Sequence, residues 1–170
     1  MQFCDLDVLK NKGAEAELAR LQSEGFISPE DAGRVRVREI ERFRKSALFA
    51  EMLSAKKIYR ELRFNVLLPA RLFTSDIERI EALGNMEMLV QGVIDCIVEG
   101  ADGSIALYDY KTDRLTKAEL LNPELAAEKL RARHKTQLEI YSLAIERIFG
   151  KSPKKIGVYS LPLGDTILIK

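Results

Sequence analysis

Cysteine is scarce in this chain: Cys4 and Cys96 are the only two, they lie far apart, and no C-x-x-C spacing occurs. A zinc ribbon, an iron–sulfur cluster and a disulfide framework are thereby excluded, and a reducing, cytoplasmic setting fits best. Glycine is scattered rather than clustered. The ten glycines form neither G-x-G-x-x-G nor G-x-x-x-x-G-K followed by Ser or Thr, so phosphate binding through a Gly-rich loop has no support and an ATPase acting alone is excluded. Long apolar runs are missing too. No stretch approaches the roughly 18 unbroken apolar residues of a membrane span, and Met1–Asp7 has neither a basic leader nor an apolar h-region. Membrane insertion and export are not expected. Nor does one sign of charge dominate: 27 Lys+Arg stand against 26 Asp+Glu, for a net charge of +1. That balance excludes a globally basic, histone-like nucleic-acid binder while leaving room for a local basic groove.

What is present suits one folded domain: 170 residues, 46% hydrophobic and 31% charged. The character of the chain changes twice. From Leu9 to Lys57 it is rich in Ala, Leu, Glu, Arg and Lys and reads as three helices, with Ser28 capping one that has Pro29 at its first position. Val35, Val37, Ile40 and Phe43, then Leu48, Met52 and Ile58, recur at helical spacing and mark buried stripes. From Tyr59 to Lys111 period-two runs predict strands over Arg60–Val66, Met88–Val98 and Ser104–Tyr110. Between the first two lies a connection with a helical turn around Ser75–Leu83, and the Gly100–Gly103 turn joins the last two as a hairpin. Beyond Lys111 a polar, partly helical stretch breaks at Asn122-Pro123. A long helix is then predicted over Lys135–Ile148, ended by Gly150, followed by strands over Lys154–Leu161 and Asp165–Ile169. This order predicts an α+β or α/β fold with helices on a mixed sheet.

The hairpin holds the chemistry. Side chains two apart on a strand share a face, so Asp109 and Lys111 point together while Tyr108 and Tyr110 point to the other side, under helices. Asp95 sits among Val93, Ile94, Cys96 and Ile97, where a carboxylate is costly unless it is paired or ligates a cation. If strand pairing brings Asp95 beside Asp109, two carboxylates converge next to Lys111. Two readings fit that arrangement: an oxygen-ligand site for a hard cation, Mg²⁺ or Mn²⁺, or a cross-strand ion pair without catalytic role. What favours the cation site is the conjunction with Thr112 directly after Lys111 and with a helix carrying Gln137 and Tyr141 one turn apart.

Gly92-Val93-Ile94-Asp95, Asp109-Tyr110-Lys111-Thr112 and Gln137-Leu138-Glu139-Ile140-Tyr141 together resemble the three successive motifs of the RecB-like branch of the PD-(D/E)XK nucleases. Tyr59-Arg60-Glu61-Leu62-Arg63-Phe64 is similar to the strand before that hairpin in the C-terminal nuclease domain of AddA subunits of bacterial AddAB helicase-nucleases. The resemblance implies a restriction-endonuclease-like α/β fold, a central mixed sheet of about five strands flanked by helices. It implies one nuclease-like domain over 1–170, with a helical part over 1–57 and a nuclease core over 58–170, in a C-terminal piece of a longer helicase-nuclease. Asp95 and Asp109 would ligate Mg²⁺ or Mn²⁺ with the Tyr110 carbonyl as a further ligand, and Lys111 would act on the attacking water. Gln137, Tyr141, Thr112 and Glu61 would support the site or contact DNA. The implied activity is exonuclease-type DNA hydrolysis in double-strand break repair and recombination. Its partners would be DNA, the helicase portion of the same parent chain and a second helicase-nuclease subunit, with no membrane.

One feature departs from the resemblance. The family's additional metal-binding His on a helix well before the strands has no counterpart, because the only histidine is His134. It would lie upstream in the parent chain; His134 itself reads as exposed or capping. The departure keeps a second reading open, a non-catalytic DNA-binding or scaffold module. Lys129, Arg131, Arg133, Lys135, Arg147, Lys151, Lys154 and Lys155 against only Glu139 and Glu146 form either a phosphate-neutralising cluster or a solvated helix face. Tyr108, Tyr110, Tyr141 and Tyr159 are the candidates for base stacking.

Overall fold

A computed structural model describes residues 1–169. Five short helices open the chain: α1 (Leu6–Lys12), α2 (Ala14–Ser23), α3 (Pro29–Arg34), α4 (Val37–Arg44) and α5 (Ala47–Leu53). The three predicted over Leu9–Lys57 are therefore five, and Ile58 belongs to a strand. The extra breaks have local causes. Gly13 at φ 86 ends α1 and starts α2, and the Ser46 hydroxyl accepts the Phe49 N–H at 3.2 Å to start α5 afresh after α4.

Next come β1 (Lys57–Pro69), a 3₁₀ turn (Ala70–Phe73), α6 (Ile77–Leu83), β2 (Glu87–Glu99) and β3 (Ile105–Lys111). The chain closes with α7 (Lys117–Leu121), α8 (Pro123–Phe149), β4 (Lys155–Ser160) and β5 (Asp165–Leu168). All five strands sit near their predicted positions. The long helix does not: it begins at Pro123 rather than near Lys135. Asn122 caps it through Leu125 N–H at 3.4 Å with Pro123 in the first turn. The polar stretch before Lys135 hides a narrow buried stripe of Ala126, Ala127 and Leu130, of which Ala127 and Leu130 pack with Ile167 of β5. No described helix is long and apolar enough to cross a membrane.

The strands form one mixed sheet in the order β1-β2-β3-β4-β5, all pairs antiparallel except β3 with β4. This agrees with the expected five-stranded α/β architecture. The N-terminal helices cover one face, where Phe43 packs edge-on to Tyr110 and Tyr159 at 6.0 and 5.1 Å between ring centroids. Helix α8 covers the other face through Leu138, Ala144 and Ile145 against Ile97, Leu107 and Val158. Cys4 and Cys96 are free and buried, and burial pushes both thiols up to about 11, so neither serves as a thiolate.

Two departures from a regular sheet position the site. First, β3 pairs with β2 only from Glu99↔Ile105 to Cys96↔Tyr108, so the two strands part just beyond Cys96 and Tyr108. Second, strand alternation switches face midway along β1 and β2. Tyr59 and Ile97 face α8, but so do Leu62, Phe64 and Ile94, an odd step that strict period-two geometry forbids. The switch falls at Glu61 and Asp95, the step that the β1–β2 register leaves unpaired. Glu61 has φ 51, a left-handed backbone found at no other non-glycine among the described residues.

Candidate active site

Where β2 and β3 part, the side chain of Asp95 replaces the missing ladder partner: its Oδ2 accepts the Tyr110 N–H at 2.9 Å. Asp95 is therefore half-buried rather than enclosed in the apolar run around it. The β2–β3 ladder ends at Cys96↔Tyr108, one step short of Asp95 and Asp109, so strand pairing does not itself join the two carboxylates, though the Asp95 charge acts on Asp109. Asp109 is 2% exposed. Burial holds its carboxyl above the ordinary value of 3.8, Lys111 pulls it back down, and the neighbouring Asp95 charge pushes it up again.

Asp109 and Lys111 share the α8 face, as parity requires, with Lys111 Nζ 2.5 Å from Asp109 Oδ2. That oxygen receives no hydrogen bond of ordinary geometry. Helix α8 supplies the rest. Gln137 Oε1 accepts from Lys111 Nζ at 3.0 Å, and Gln137 Nε2 donates to Asp109 Oδ1 at 3.4 Å and to the Tyr141 hydroxyl at 2.9 Å. Gln137 thus meets the two strand residues directly, and Tyr141, one turn away on the same face, reaches them only through Gln137.

Tyr141 is in turn held by a contact that sequence reasoning missed. Its ring packs edge-on to Phe64 at 5.8 Å between centroids, and Phe64 lies across Gly92, its register partner. A Cβ at Gly92 would sit 2.6–2.7 Å from the Phe64 ring. The chain of contact runs from Gly92 through Phe64, Tyr141 and Gln137 to Asp109 and Lys111. Gly92→Ala is expected to displace that ring and to cost about 1–3 kcal/mol, the usual range for overpacking. Thermal melts should show the loss, with much of it recovered in Gly92→Ala/Phe64→Leu.

Asp95, Tyr110, Thr112 and Glu61 line a cleft of about 1250 Å³; Asp109, Lys111, Gln137 and Tyr141 are not among its lining residues. The remaining walls come from the α3–α4 region, the loop after β3 and the β4–β5 turn. Two of these loops follow the C-terminal ends of the parallel strands β3 and β4, the usual location of a site in an α/β sheet. Glu61, which the resemblance implied as a supporting residue, lies on the cleft.

Two further expectations are corrected. His134 is neither exposed nor capping: it is mostly buried, with Nε2 3.1 Å from Asp113 Oδ2, and Arg133 approaches the same carboxylate at 2.8 Å. Asp113 had no motif to flag it. The eight cations between Lys129 and Lys155 supply no phosphate-neutralising wall to the cleft, since none lines it. Lys129, Arg133, Lys135, Arg147, Lys154 and Lys155 pair with Glu119, Asp113, Glu139, Glu87, Asp102 and Glu51. Arg131 and Lys151 donate to the Leu168 and Gly103 carbonyls. The tyrosines pack inward as well: Tyr108, Tyr110 and Tyr159 under the N-terminal helices, Tyr141 beside Phe64, so base stacking gains no support.

The donor set tests the cation reading. A buried carboxylate, a second carboxylate whose charge acts on it and only oxygen donors from the two acids suit a hard divalent ion. The described residues contain no group of three or more His, Cys, Asp or Glu arranged to hold a metal, so any further ligands would be main-chain oxygens or water.

Comparison with known proteins bears on the family of the chain. Residues 5–168 match the model of the PD-(D/E)XK nuclease superfamily. The chain is 35% identical over 160 residues to the A subunit of an ATP-dependent helicase/nuclease of Thermoanaerobacter sp., covering 94% of this chain and 12% of that protein. Proteins of the same description from Acetivibrio thermocellus and Desulforamulus reducens are 35% and 31% identical, covering 85% and 99% of this chain. The chain spans only 11% and 13% of those two relatives.

Proposed function

The chain belongs to the PD-(D/E)XK nuclease superfamily, and from that premise we propose that it hydrolyses DNA phosphodiester bonds, exonuclease-type, with Mg²⁺ or Mn²⁺ held by Asp95 and Asp109. The observation that carries this reading is the pair of carboxylates at the parting of β2 and β3, one of them buried and ion-paired with the Lys111 ammonium at 2.5 Å. The Tyr110 carbonyl supplies a further oxygen. A divalent ion bound there would lower the pKa of a bound water and polarise the scissile phosphate.

The side chains around it have separate tasks. Asp109 and Gln137 account for two of the three Lys111 N–H donors, and the third would hold the attacking water or a phosphoryl oxygen as charge develops. Gln137, braced by Tyr141, keeps Lys111 and Asp109 in place. Thr112 and Glu61 contact the strand from the cleft wall.

The kinship with helicase/nuclease proteins supports a wider proposal. This segment would be the nuclease domain of a longer helicase-nuclease, with a helical part over 1–57 and a nuclease core over 58–170. It would act in the cytoplasm on DNA delivered by the helicase portion, beside a second subunit, in double-strand break repair and recombination.

A second reading rests on the small ligand set: with two carboxylates and no third His, Cys, Asp or Glu beside them among the described residues, the fold would bind DNA without cutting it. End-labelled single- and double-stranded oligonucleotides incubated over a range of Mg²⁺ and Mn²⁺ concentrations separate the two. Products that appear only with the metal and vanish with EDTA are expected. Salt-dependent DNA binding with no product at any metal concentration would favour the second reading.

A further inference from the structure

The cleft beside Asp95 is lined by four guanidinium groups, and they are not equivalent. Arg34 is paired with Glu30 at 2.6 Å and approaches Asp31 at 3.6 Å, and Arg36 is paired with Glu39 at 3.0 Å. Their charge is cancelled where it arises. Arg42 and Arg114 have no carboxylate partner among the described residues.

Arg42 is nevertheless held. Its NH1 donates to the Pro162 carbonyl at 2.8 Å, and its stem lies against Gly164, where a Cβ would come within 3.0–3.1 Å of the Arg42 Cβ and Cδ. Gly164 also has φ 72, which suits glycine. The β4–β5 turn thus fixes this side chain through a neutral carbonyl and a close packing contact. The positive charge and four of the five N–H donors remain available. Arg114 reaches the same cleft from a different element, the exposed loop after β3, two residues beyond Thr112. An arginine held without a counter-ion suits bidentate contact to a phosphate oxygen pair.

We propose that Arg42 and Arg114 are the phosphate-contacting residues that draw a DNA strand into the cleft and set it against Asp95. This assignment rests on the nuclease reading. It replaces the cation cluster on and after α8, none of which lines the cleft, with a path running from α4 and the β4–β5 turn to the loop after β3.

The test is fluorescence anisotropy of a labelled oligonucleotide in EDTA, where no turnover occurs, titrated with KCl. Wild type is compared with Arg42→Ala, Arg42→Lys, Arg114→Ala and Arg79→Ala, the last altering an exposed arginine outside the cleft. Each cleft substitution to alanine should weaken binding roughly 5- to 20-fold and lower the salt slope by about 0.7–0.9. Arg42→Lys should recover the slope but only part of the affinity. Arg79→Ala should match wild type. In metal-dependent cleavage KM should rise more than kcat falls. Wild-type affinity and slope in both alanine variants would overturn the proposal while leaving the nuclease reading intact. Absence of both binding and cleavage in wild type would instead reject the nuclease reading. If Arg42→Ala melts early for want of its Pro162 contact, Arg114→Ala and Arg42→Lys decide the question.

Discussion

Asp109→Asn is expected to lose at least about 10²–10³-fold of metal-dependent cleavage, the scale on which a single preorganised electrostatic group acts, while melting at or above the wild-type temperature without metal. The two effects have one cause. Burial raises the folded-state value of Asp109 above its ordinary one. Its contribution to stability is therefore fully present below the unfolded value near 3.8 and lost as pH rises through the folded value. At neutral pH the ionised carboxylate is a net cost that a neutral amide does not incur. Relieving that cost should raise the Tm of Asp109→Asn above that of the wild type in the absence of metal. Melts from pH 3.5 to 7.5 check the sign: the wild type should lose ground relative to Asp109→Asn as pH rises. A mutant markedly less stable than wild type at pH 7 would show that the Lys111 ion pair outweighs burial.

Lys111→Met should cost a comparable factor in cleavage, about 10²–10³-fold, but with the opposite effect on the metal-free fold. It leaves the buried Asp109 charge without its cation. Loss of one partner of a buried pair costs up to about 3–5 kcal/mol, and the residual exposure of Lys111, 20% at its side chain, puts this case toward the lower end. A divalent ion should restore most of that stability, since both carboxylates remain. Asp109→Asn/Lys111→Met should recover metal-free stability while staying inactive, so the double-mutant cycle separates electrostatics from chemistry. Retained cleavage in Lys111→Met would remove the lysine from the mechanism.

The core of the site was legible in the sequence because it depends on local geometry. Period-two patterning placed β2 and β3, the Gly100–Gly103 turn set their register, and parity put Asp109 and Lys111 on one face. The one-turn spacing of Gln137 and Tyr141 likewise needed only helical periodicity. The features that escaped arise from distant contacts. The face switch at Glu61 and Asp95 breaks the alternation on which strand reading depends, and no residue type announces it. Helix α8 starts twelve residues early because its first turns bury only Ala126, Ala127 and Leu130, too narrow a stripe amid charged neighbours. Several of the cations from Lys129 on look free in sequence and are ion-paired, since partners such as Glu51 and Glu87 lie far away along the chain. Arg42 meets Pro162 across 120 residues, which no local pattern records.

The most direct test of the cation site is a pair of thermal melts, wild type and Asp109→Asn, each with and without millimolar Mg²⁺ or Mn²⁺. A ligand at about 100 times its Kd contributes about 2.7 kcal/mol, which corresponds to a rise of roughly 5–10 °C here. The expected result is such a rise in wild type and none in Asp109→Asn. No rise in wild type, or an equal rise in the mutant, would contradict a divalent ion held by Asp95 and Asp109.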